Sequence, residues 1–366
     1  MTPSYQPPIS IVIPTYNEAS VIEDKIRNTL NLNYPFNKIE IVVIDSASND
    51  GTPDIAERFE QVKVIRQAER KGKSSALAEV FKIVTGKVIV ITDADALLDK
   101  NVLVNALPYL ADISVGAVTG KQILINPYET VYQKSEQSYR DFFDIIRIVE
   151  SKLESTMIFN GPFMAFKQEV LEAPPQDSVA DDTEMAFQVI KKGYRTLYVP
   201  EALFYENIPL SDESRIKQKE RRAQGLVQSF WRHRDLLFNK KYGKFASIIF
   251  PAEFAVHVVL PFAIFFSLIV VAASFFIDFT YTLIITGVFC AFMAIYAVPV
   301  YSAIGKSISS SNKTKSSSIN NVIITFQSFM QLQFALFTGA LKLMLFGTAH
   351  KWEQISDARQ KIKVPD

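Results

Sequence analysis

The apolar residues of this 366-residue chain are concentrated in its second part. The stretch 245–305 contains no lysine or arginine, and its only acidic residues are Glu253 and Asp278. Two apolar segments, 248–277 and 281–301, are each as long as the roughly 20 residues that a helix needs to cross a bilayer. The sequence therefore predicts a polar first part and a membrane domain that covers residues 245–346.

A third apolar segment, 322–346, carries three glutamines and Lys342, and it either crosses the bilayer or lies against its surface. Two crossings place the basic loop 306–321 in the cytoplasm, as the positive-inside rule requires, whereas a third crossing would place the basic tail 347–366 outside. Residues 1–8 lack the pattern of a signal peptide. We therefore expect a multi-pass protein of the cell membrane with a cytoplasmic first domain.

Glu253 and His257 lie four residues apart near the start of the first apolar segment. Ionisable groups inside membrane helices are candidates for a function. Because both residues are expected close to the bilayer surface, where solvation costs little, the sequence favours an ordinary interfacial pair.

The charge and the cysteine content exclude some classes of protein. The formal net charge is +1 and no domain is strongly basic, so we expect no nucleic-acid partner. Cys290 is the only cysteine, which excludes an internal disulfide and a cysteine-based zinc site.

The polar first part, 1–242, alternates short β-branched segments with segments of helical periodicity. Strands are predicted at 9–13, 40–44, 62–65 and 87–92, and helices between them at 18–32, 52–59 and 74–84. This order predicts an α/β domain with a largely parallel central sheet, in which ligands bind beyond the carboxyl ends of the strands. Polar residues follow three of these strands: Thr15, Tyr16 and Glu18, then Asp45, then Asp93 and Asp95.

The rest of this part mixes helices and strands. A long helix is predicted at 130–153, strands at 163–166 and 196–199, and a helix at 182–192. A basic amphipathic helix at about 213–235 leads towards the membrane.

The motif Asp93-Ala94-Asp95 directly follows an apolar strand. Two carboxylates in this position can hold Mg²⁺ or Mn²⁺, which usually shares its ligand shell with substrate phosphates. Such an ion stabilises the charge that builds on a diphosphate leaving group. An acidic turn without a function is the alternative, and this motif alone leaves the two interpretations evenly balanced.

Two further segments support the binding interpretation. Residues 10–18 read Ser-Ile-Val-Ile-Pro-Thr-Tyr-Asn-Glu, and residues 42–52 read Val-Val-Ile-Asp-Ser-Ala-Ser-Asn-Asp-Gly-Thr. With Asp93-Ala94-Asp95 they resemble the nucleotide-binding signatures of family-two inverting glycosyltransferases, which have the GT-A fold. The chain is most similar to the membrane-bound group that includes cellulose and hyaluronan synthases, over roughly its first two-thirds.

The resemblance implies a nucleotide-sugar donor and assigns residues to it. These are Pro14, Thr15, Tyr16 and Glu18 around the base and ribose, Asp45 on the base, Lys73 near the nucleotide and Asp93 on the nucleoside. Asp95, together with Asp93, would bind Mn²⁺ or Mg²⁺.

Two downstream segments resemble the acceptor side of the family. Residues 160–166 resemble its acceptor loop, where Gly161 would let the backbone approach a sugar, although a simple β-turn explains the glycine equally well. Asp182 corresponds to the base that deprotonates the acceptor hydroxyl. Burial or its neighbour Asp181 would have to raise its pKa for this role. The alternative role for Asp182 is capping of the helix that follows.

The segment Gln218-Lys219-Glu220-Arg221-Arg222 resembles the Gln-x-x-Arg-Trp motif of processive members. Gln218 and Arg221 fit this motif, but Arg222 stands where the family has tryptophan, which leaves processivity open. The two arginines bind either phosphate groups of the substrate or the headgroups of membrane lipids.

Together, the residues and the resemblance predict a metal-dependent, inverting glycosyltransferase of the hexosyltransferase type. It would use a UDP- or GDP-sugar and a lipid-linked or polysaccharide acceptor at the membrane. A polyprenyl-phosphate sugar synthase is the main alternative. A nucleotidyltransferase and a non-catalytic sugar-binding protein are less favoured, because neither requires Asp182 beside the paired aspartates.

Overall fold

The computed structural model describes residues 5–125, 131–207, 209, 211–277, 280, 282–284, 286–288, 318–347 and 359. Most of the second predicted membrane segment, 281–301, lies outside these residues, as does most of the loop 306–321. Of the predicted tail, 347–366, only residues 347 and 359 are described.

The described residues form one sheet of eight strands. The strands are β1 (Ile9–Thr15), β2 (Ile39–Asp45), β3 (Val62–Arg66), β4 (Val88–Ile91), β5 (Ala96–Leu98), β6 (Val115–Leu124), β7 (Met164–Lys167) and β8 (Arg195–Glu206). Their order across the sheet is β3-β2-β1-β4-β7-β6-β8-β5.

Strands β1 to β4 are parallel, as the alternating pattern of the first part predicts. In their register Thr15 lies beside Asp45, so the polar groups that follow β1 and β2 meet at one edge. Strand β7 runs antiparallel to both β4 and β6, while β6 and β8 are parallel. The sheet is therefore mixed, with its parallel half at the predicted ligand-binding edge.

Nine helices of the described chain matter for the site and the membrane domain. They are α1 (Ile22–Leu30), α2 (Thr52–Ala56), α3 (Lys73–Val80), α4 (Val102–Ala106), α5 (Val131–Leu153), α6 (Asp181–Lys191), α7 (Asp212–Arg232), α8 (Phe245–Phe275) and α9 (Ser318–Phe346).

Side chains of β1 alternate between the two faces of the sheet, because successive residues of a strand point in opposite directions. Ile11 and Ile13 pack with α1 in one buried cluster, and Val12 packs with α3 in another. The sheet is thus covered on both faces, which holds its carboxyl edge in place.

Among the described residues, two helices are long and apolar enough to cross a membrane, judged by length and composition: Phe245–Phe275 and Phe329–Phe346. The first turns of α8 pack against α6 and α7 through a buried cluster that contains Phe187, Phe230 and Phe250. Helix α9 packs on α7 at Gly339, where an added Cβ would lie 2.9 Å from the backbone nitrogen of Gln224. The apolar helices are therefore joined directly to the elements that surround the site.

Candidate active site

A cavity lies at the carboxyl ends of β1, β2 and β4 and extends between α5, α7 and α9. It brings together all but one of the residues predicted for the site. The predicted residues that line it are Pro14, Thr15, Tyr16, Glu18, Lys73, Asp93, Asp95, Gly161, Asp181, Asp182, Gln218, Arg221 and Arg222.

Asp45 is the predicted residue that does not line the cavity; its neighbour Ser46 does. The carboxylate of Asp45 is buried and accepts hydrogen bonds from the hydroxyl of Thr15 at 3.1 Å and from the hydroxyl and N–H of Ser48 at 2.5 and 2.8 Å. Through these hydrogen bonds Asp45 links the loop after β2 to the end of β1. Its predicted contact with a base stays a prediction.

Lys73 lies at the centre of the site, at the start of α3. Its Nζ is 2.8 Å from Oδ1 of Asp93 and 3.1 Å from Oδ2 of Asp181. Burial alone would lower the pKa of Lys73, but the charges of Asp181 and Asp93 raise it well above its usual value. Lys73 is therefore a fixed positive charge that ties the end of β4 to the start of α6.

Asp182 lies in the first turn of α6, where its Oδ1 accepts a hydrogen bond from the N–H of Thr183 at 2.7 Å. Burial and the neighbouring charge of Asp181 raise the pKa of Asp182 to about 6. Burial and Asp181 are the two causes that were expected, from the sequence, to raise the pKa of a base at this position. The capping interpretation is wrong, because the helix begins at Asp181 with Ala180 as its N-cap, so Asp182 lies inside the first turn.

Gly161 faces Asp182 across a small gap. A Cβ added to Gly161 would lie 3.4 Å from Oδ2 of Asp93, 3.5 Å from Oδ2 of Asp182 and 3.9 Å from Nζ of Lys73. The missing side chain thus leaves a space about the size of a methyl group, bordered by Asp93, Asp182 and Lys73. A reacting group placed there would contact the carboxylates of both Asp93 and Asp182.

Asp93 and Asp95 have the chemistry of a metal site but do not form a complete one. In the described part of the chain, no three His, Cys, Asp or Glu side chains are grouped so that they could hold a metal ion. Two carboxylates would supply part of the shell of Mg²⁺ or Mn²⁺, and phosphate oxygens and water would supply the rest.

The electrostatics of the cavity favour such a cation. Burial raises the pKa of Asp95, and the charge of Asp93 adds to this, although Arg359 opposes it. Burial is also the main cause that raises the pKa values of Glu18 and Glu206 to about 7 each. Burial, the largest cause of each shift, disfavours the charged forms of these three carboxyl groups. A divalent cation bound beside them would favour the charged forms.

Helix α7 is held against the site by Gly225. An added Cβ there would lie 2.8 Å from the Cβ of Ala180, directly before Asp181. This close packing brings Gln218, Arg221 and Arg222 to the cavity wall. Burial and the neighbouring Arg222 lower the pKa of Arg221.

Sequence reasoning missed several charged residues of the site. Arg359 donates hydrogen bonds to both carboxylate oxygens of Glu18, and no local pattern marks it. Lys25 is fully buried and donates to Oγ1 of Thr92 and to the carbonyl of Ala96, both at 2.6 Å. Burial lowers the pKa of Lys25 to about 7. Lys25 lies on the buried face of α1 with Ile26, and a lysine on such a face is a signal in the sequence that could have identified it.

Comparison with known proteins identifies the family. Residues 10–173 match the domain described as glycosyl transferase family 2. A mannosyltransferase from Pyrobaculum calidifontis, solved in complex with GDP-Man and Mn²⁺, is 30% identical, and the match has a TM-score of 0.72 and covers 94% of this chain and 88% of that one. The chain belongs to glycosyl transferase family 2. Its fold is the predicted GT-A fold.

The names of two curated relatives of this family-2 chain state different products. A beta-monoglucosyldiacylglycerol synthase from Trichormus variabilis is 27% identical over 256 residues, which is 65% of this chain and 53% of the relative. A poly-beta-1,6-N-acetyl-D-glucosamine synthase from Staphylococcus epidermidis is 26% identical over 234 residues, which is 61% of this chain and 56% of the relative. The family-2 chain thus spans about half the length of these curated relatives.

Proposed function

We propose that this family-2 protein is an inverting, metal-dependent glycosyltransferase that transfers a sugar from a UDP- or GDP-sugar to an acceptor hydroxyl at the membrane. The observation that carries the proposal is the position of Gly161, where an added Cβ would lie 3.4 Å from Oδ2 of Asp93 and 3.5 Å from Oδ2 of Asp182. A sugar carbon bound beside Gly161 would be close both to the predicted metal ligand and to the base.

The donor would bind at the edge formed by β1 and the segment before α3. Thr15 and Tyr16 line this part of the cavity, and the guanidinium of Arg70 stacks over the ring of Tyr16 at 3.9 Å. The complex of the Pyrobaculum mannosyltransferase with GDP-Man supports a nucleotide-sugar donor.

Asp93 and Asp95 would hold Mn²⁺ or Mg²⁺ at the diphosphate, and the ion would stabilise the negative charge that develops on the leaving group. Lys73 keeps Asp93 and Asp181 in place by its two ion pairs. Arg221 and Arg222 at the cavity wall are suited to bind phosphate oxygens, because guanidinium groups can bind them bidentately.

Asp182 would act as the base. With a pKa of about 6 it is ionised at neutral pH, yet it accepts a proton more readily than an ordinary aspartate. It takes the proton of the acceptor hydroxyl while that oxygen bonds to the anomeric carbon. The bond from this carbon to the diphosphate breaks on the opposite face and its electron pair leaves with the diphosphate, which inverts the configuration.

The acceptor would enter from the membrane side. There the cavity is lined by Phe143 of α5, Leu226 of α7, and Leu332 and Ala335 of α9. These apolar walls adjoin two helices that could cross a membrane, which supports a lipid acceptor. The beta-monoglucosyldiacylglycerol synthase among the relatives supports it too. The cytoplasmic orientation of the catalytic part and a multi-pass topology belong to the same proposal.

The test is release of nucleoside diphosphate by the full chain in mild detergent, with a panel of UDP- and GDP-sugars, Mn²⁺ and a lipid extract. We expect release from one donor that is abolished by EDTA and by Asp182→Asn. Asp235→Asn is the matched control, since Asp235 is an exposed aspartate paired with Lys191 outside the cavity, and it should leave release unchanged. No release from any donor would contradict the proposal.

A further inference from the structure

A buried group of titratable side chains adjoins the membrane side of the cavity. His257 of α8 lines the cavity and is 1% exposed, and Glu253 of α8 and Glu150 of α5 are 8% and 6% exposed. The sequence favoured an interfacial pair solvated at the bilayer surface for Glu253 and His257. That interpretation is wrong, because helix packing buries both residues inside the protein.

The contacts of His257 determine which ring nitrogen carries the proton. Its Nδ1 is hydrogen-bonded to the backbone carbonyl of Glu253 at 3.0 Å and lies 3.1 Å from Oε2 of the same residue. Both atoms are acceptors, so Nδ1 must be the donor. In the neutral ring Nε2 then has a free lone pair.

The orientation of the ring is fixed from both sides. Phe230 stacks on His257 with the ring centroids 5.2 Å apart and the planes 10° apart, and Phe143 lies 6.3 Å away. The buried Nε2 makes no hydrogen bond to any residue that the structure describes. Since an unsatisfied buried polar atom is costly, this nitrogen is expected to have a partner that enters through the cavity.

Glu150 lies next to Glu253, the residue that faces Nδ1 of His257. Burial and the neighbouring Glu253 raise the pKa of Glu150 well above its usual value, which favours the protonated form of Glu150. The hydroxyl of Thr156 donates to Glu150 at 2.6 Å. The chain of contacts from Thr156 to His257 leaves Glu253 as the acceptor that Nδ1 needs.

The backbone at His257 is unusual as well. Residues Ala255–Val259 form a π-helical turn within α8. Such turns occur often at functional sites, because they displace one side chain from the regular helical surface. Here the displaced segment carries the histidine that lines the cavity.

We propose that Nε2 of His257 holds a lipid alcohol before the sugar donor binds, by accepting a hydrogen bond from the hydroxyl that Asp182 later deprotonates. The chain of this lipid lies along the apolar wall of Phe143, Leu332 and Ala335. The inference rests on the proposed function and specifies its acceptor. Glu253 and Glu150 are positioning residues that keep the proton on Nδ1. A lone pair attracts a hydroxyl proton and repels a phosphate oxygen, so His257 itself favours a neutral alcohol over a lipid phosphate.

The arginines on the same wall are only partly engaged by protein acceptors, since the buried Nε of Arg147 makes no hydrogen bond within the described part of the chain. Arg140 donates to the side chain of Gln122, and Nη1 of Arg147 lies 3.7 Å from Oδ1 of Asp144.

The test compares two lipids that share their acyl chains: dioleoylglycerol, with a free hydroxyl, and dioleoylphosphatidic acid, with a phosphate. Binding of each to the full chain in detergent is measured without donor by native mass spectrometry. His257→Ala should weaken binding of dioleoylglycerol about tenfold, the effect of one lost buried hydrogen bond. His257→Gln, whose amide oxygen can replace Nε2 as an acceptor, should restore most of it.

His233→Gln is the matched control, since His233 is a second buried histidine that pairs with Glu184 at 2.7 Å and does not line the cavity. It should bind dioleoylglycerol like the wild type, and all variants should bind nucleoside diphosphate with Mn²⁺ equally.

Equal binding of dioleoylglycerol by the wild type and His257→Ala would overturn the inference. So would a wild-type preference for phosphatidic acid, or binding of neither lipid. Because lipid binding is measured without a sugar donor, failure of the proposed transfer reaction would be seen separately, in the release assay.

Discussion

Arg359 donates hydrogen bonds of 2.6 and 2.5 Å to the two carboxylate oxygens of Glu18, although 341 residues separate them in the sequence. Both side chains are 6% exposed, and Nη2 of Arg359 also lies 4.0 Å from Oδ2 of Asp95. A residue near the end of the chain thus places a positive charge beside the carboxylate predicted to bind the metal.

Replacing Arg359 by alanine should destabilise the protein in the absence of metal. The change leaves the buried carboxylate of Glu18 without its partner, which costs up to about 3 kcal/mol for a buried ion pair. The loss should be larger at pH 8 than at pH 6, because the pKa of Glu18 is about 7 and rises further without Arg359, so protonation relieves the unpaired charge at the lower pH.

Thermal unfolding in EDTA and in Mn²⁺ measures this effect. The Tm of Arg359→Ala should rise more on addition of Mn²⁺ than that of the wild type, since the metal replaces the lost positive charge. Arg359→Lys, which keeps the charge, serves as the control. An unchanged Tm for Arg359→Ala would show that the ion pair does not contribute to stability.

The transfer rate should depend on pH through Asp182. A base must be ionised to accept a proton, and the pKa of Asp182 is about 6. We expect kcat/KM to be level above pH 7 and to fall about tenfold per pH unit well below pH 6. Asp182→Asn should lose at least about 100-fold in kcat at all pH values while binding the donor normally. If the residual activity of Asp182→Asn still fell at low pH in the same way, the group that titrates would not be Asp182.

Asp95→Ala should abolish metal-dependent binding of nucleoside diphosphate. Two carboxylates hold the ion together with phosphate oxygens, so one carboxylate alone should hold it weakly. Electron paramagnetic resonance of Mn²⁺ titrated in the presence of UDP or GDP measures the affinity. Asp99→Ala, four positions further along and outside the cavity, should leave the affinity unchanged. Equal Mn²⁺ affinity in both variants would place the metal elsewhere.

Gly161→Ala should fold normally and still fail in transfer. The added methyl group would lie 3.4 Å from Asp93 and 3.5 Å from Asp182, distances that a protein tolerates but that remove the space for a sugar. We expect an unchanged Tm and a fall in kcat/KM of at least about tenfold, as misplacement of reacting groups produces. Gly287→Ala, where an added Cβ meets nothing within 4 Å, should affect neither quantity.

The sequence by itself determined the parallel half of the sheet, and it predicted residues of which all but Asp45 line one cavity. Asp93 and Asp95 follow β4, and Thr15 ends β1. Such strand ends can be predicted because a short β-branched segment bounded by polar residues is a local signal. The resemblance located Asp182, and its expected rise in pKa follows from burial and from Asp181.

Local signals failed where distant segments decided the outcome. Helix α1 begins at Ile22 rather than at the predicted residue 18, because the N–H of Glu18 donates to Oγ1 of Thr52 and Asn17 adopts a positive φ of 56°. Strand β5 forms only by pairing with β8, about a hundred residues later, so nothing in its own three residues predicted it.

The charges inside the cavity also depended on the tertiary structure. Arg359 reaches Glu18, and Asp45 turns to Ser48 and away from the cavity, through contacts that no periodicity encodes. His257 was expected at a solvated surface, but packing against Phe230 and Phe143 buries it. Periodicity along the chain determines which segments form strands and helices, whereas burial and ion pairing, which set the pKa values here, arise only when distant segments pack together.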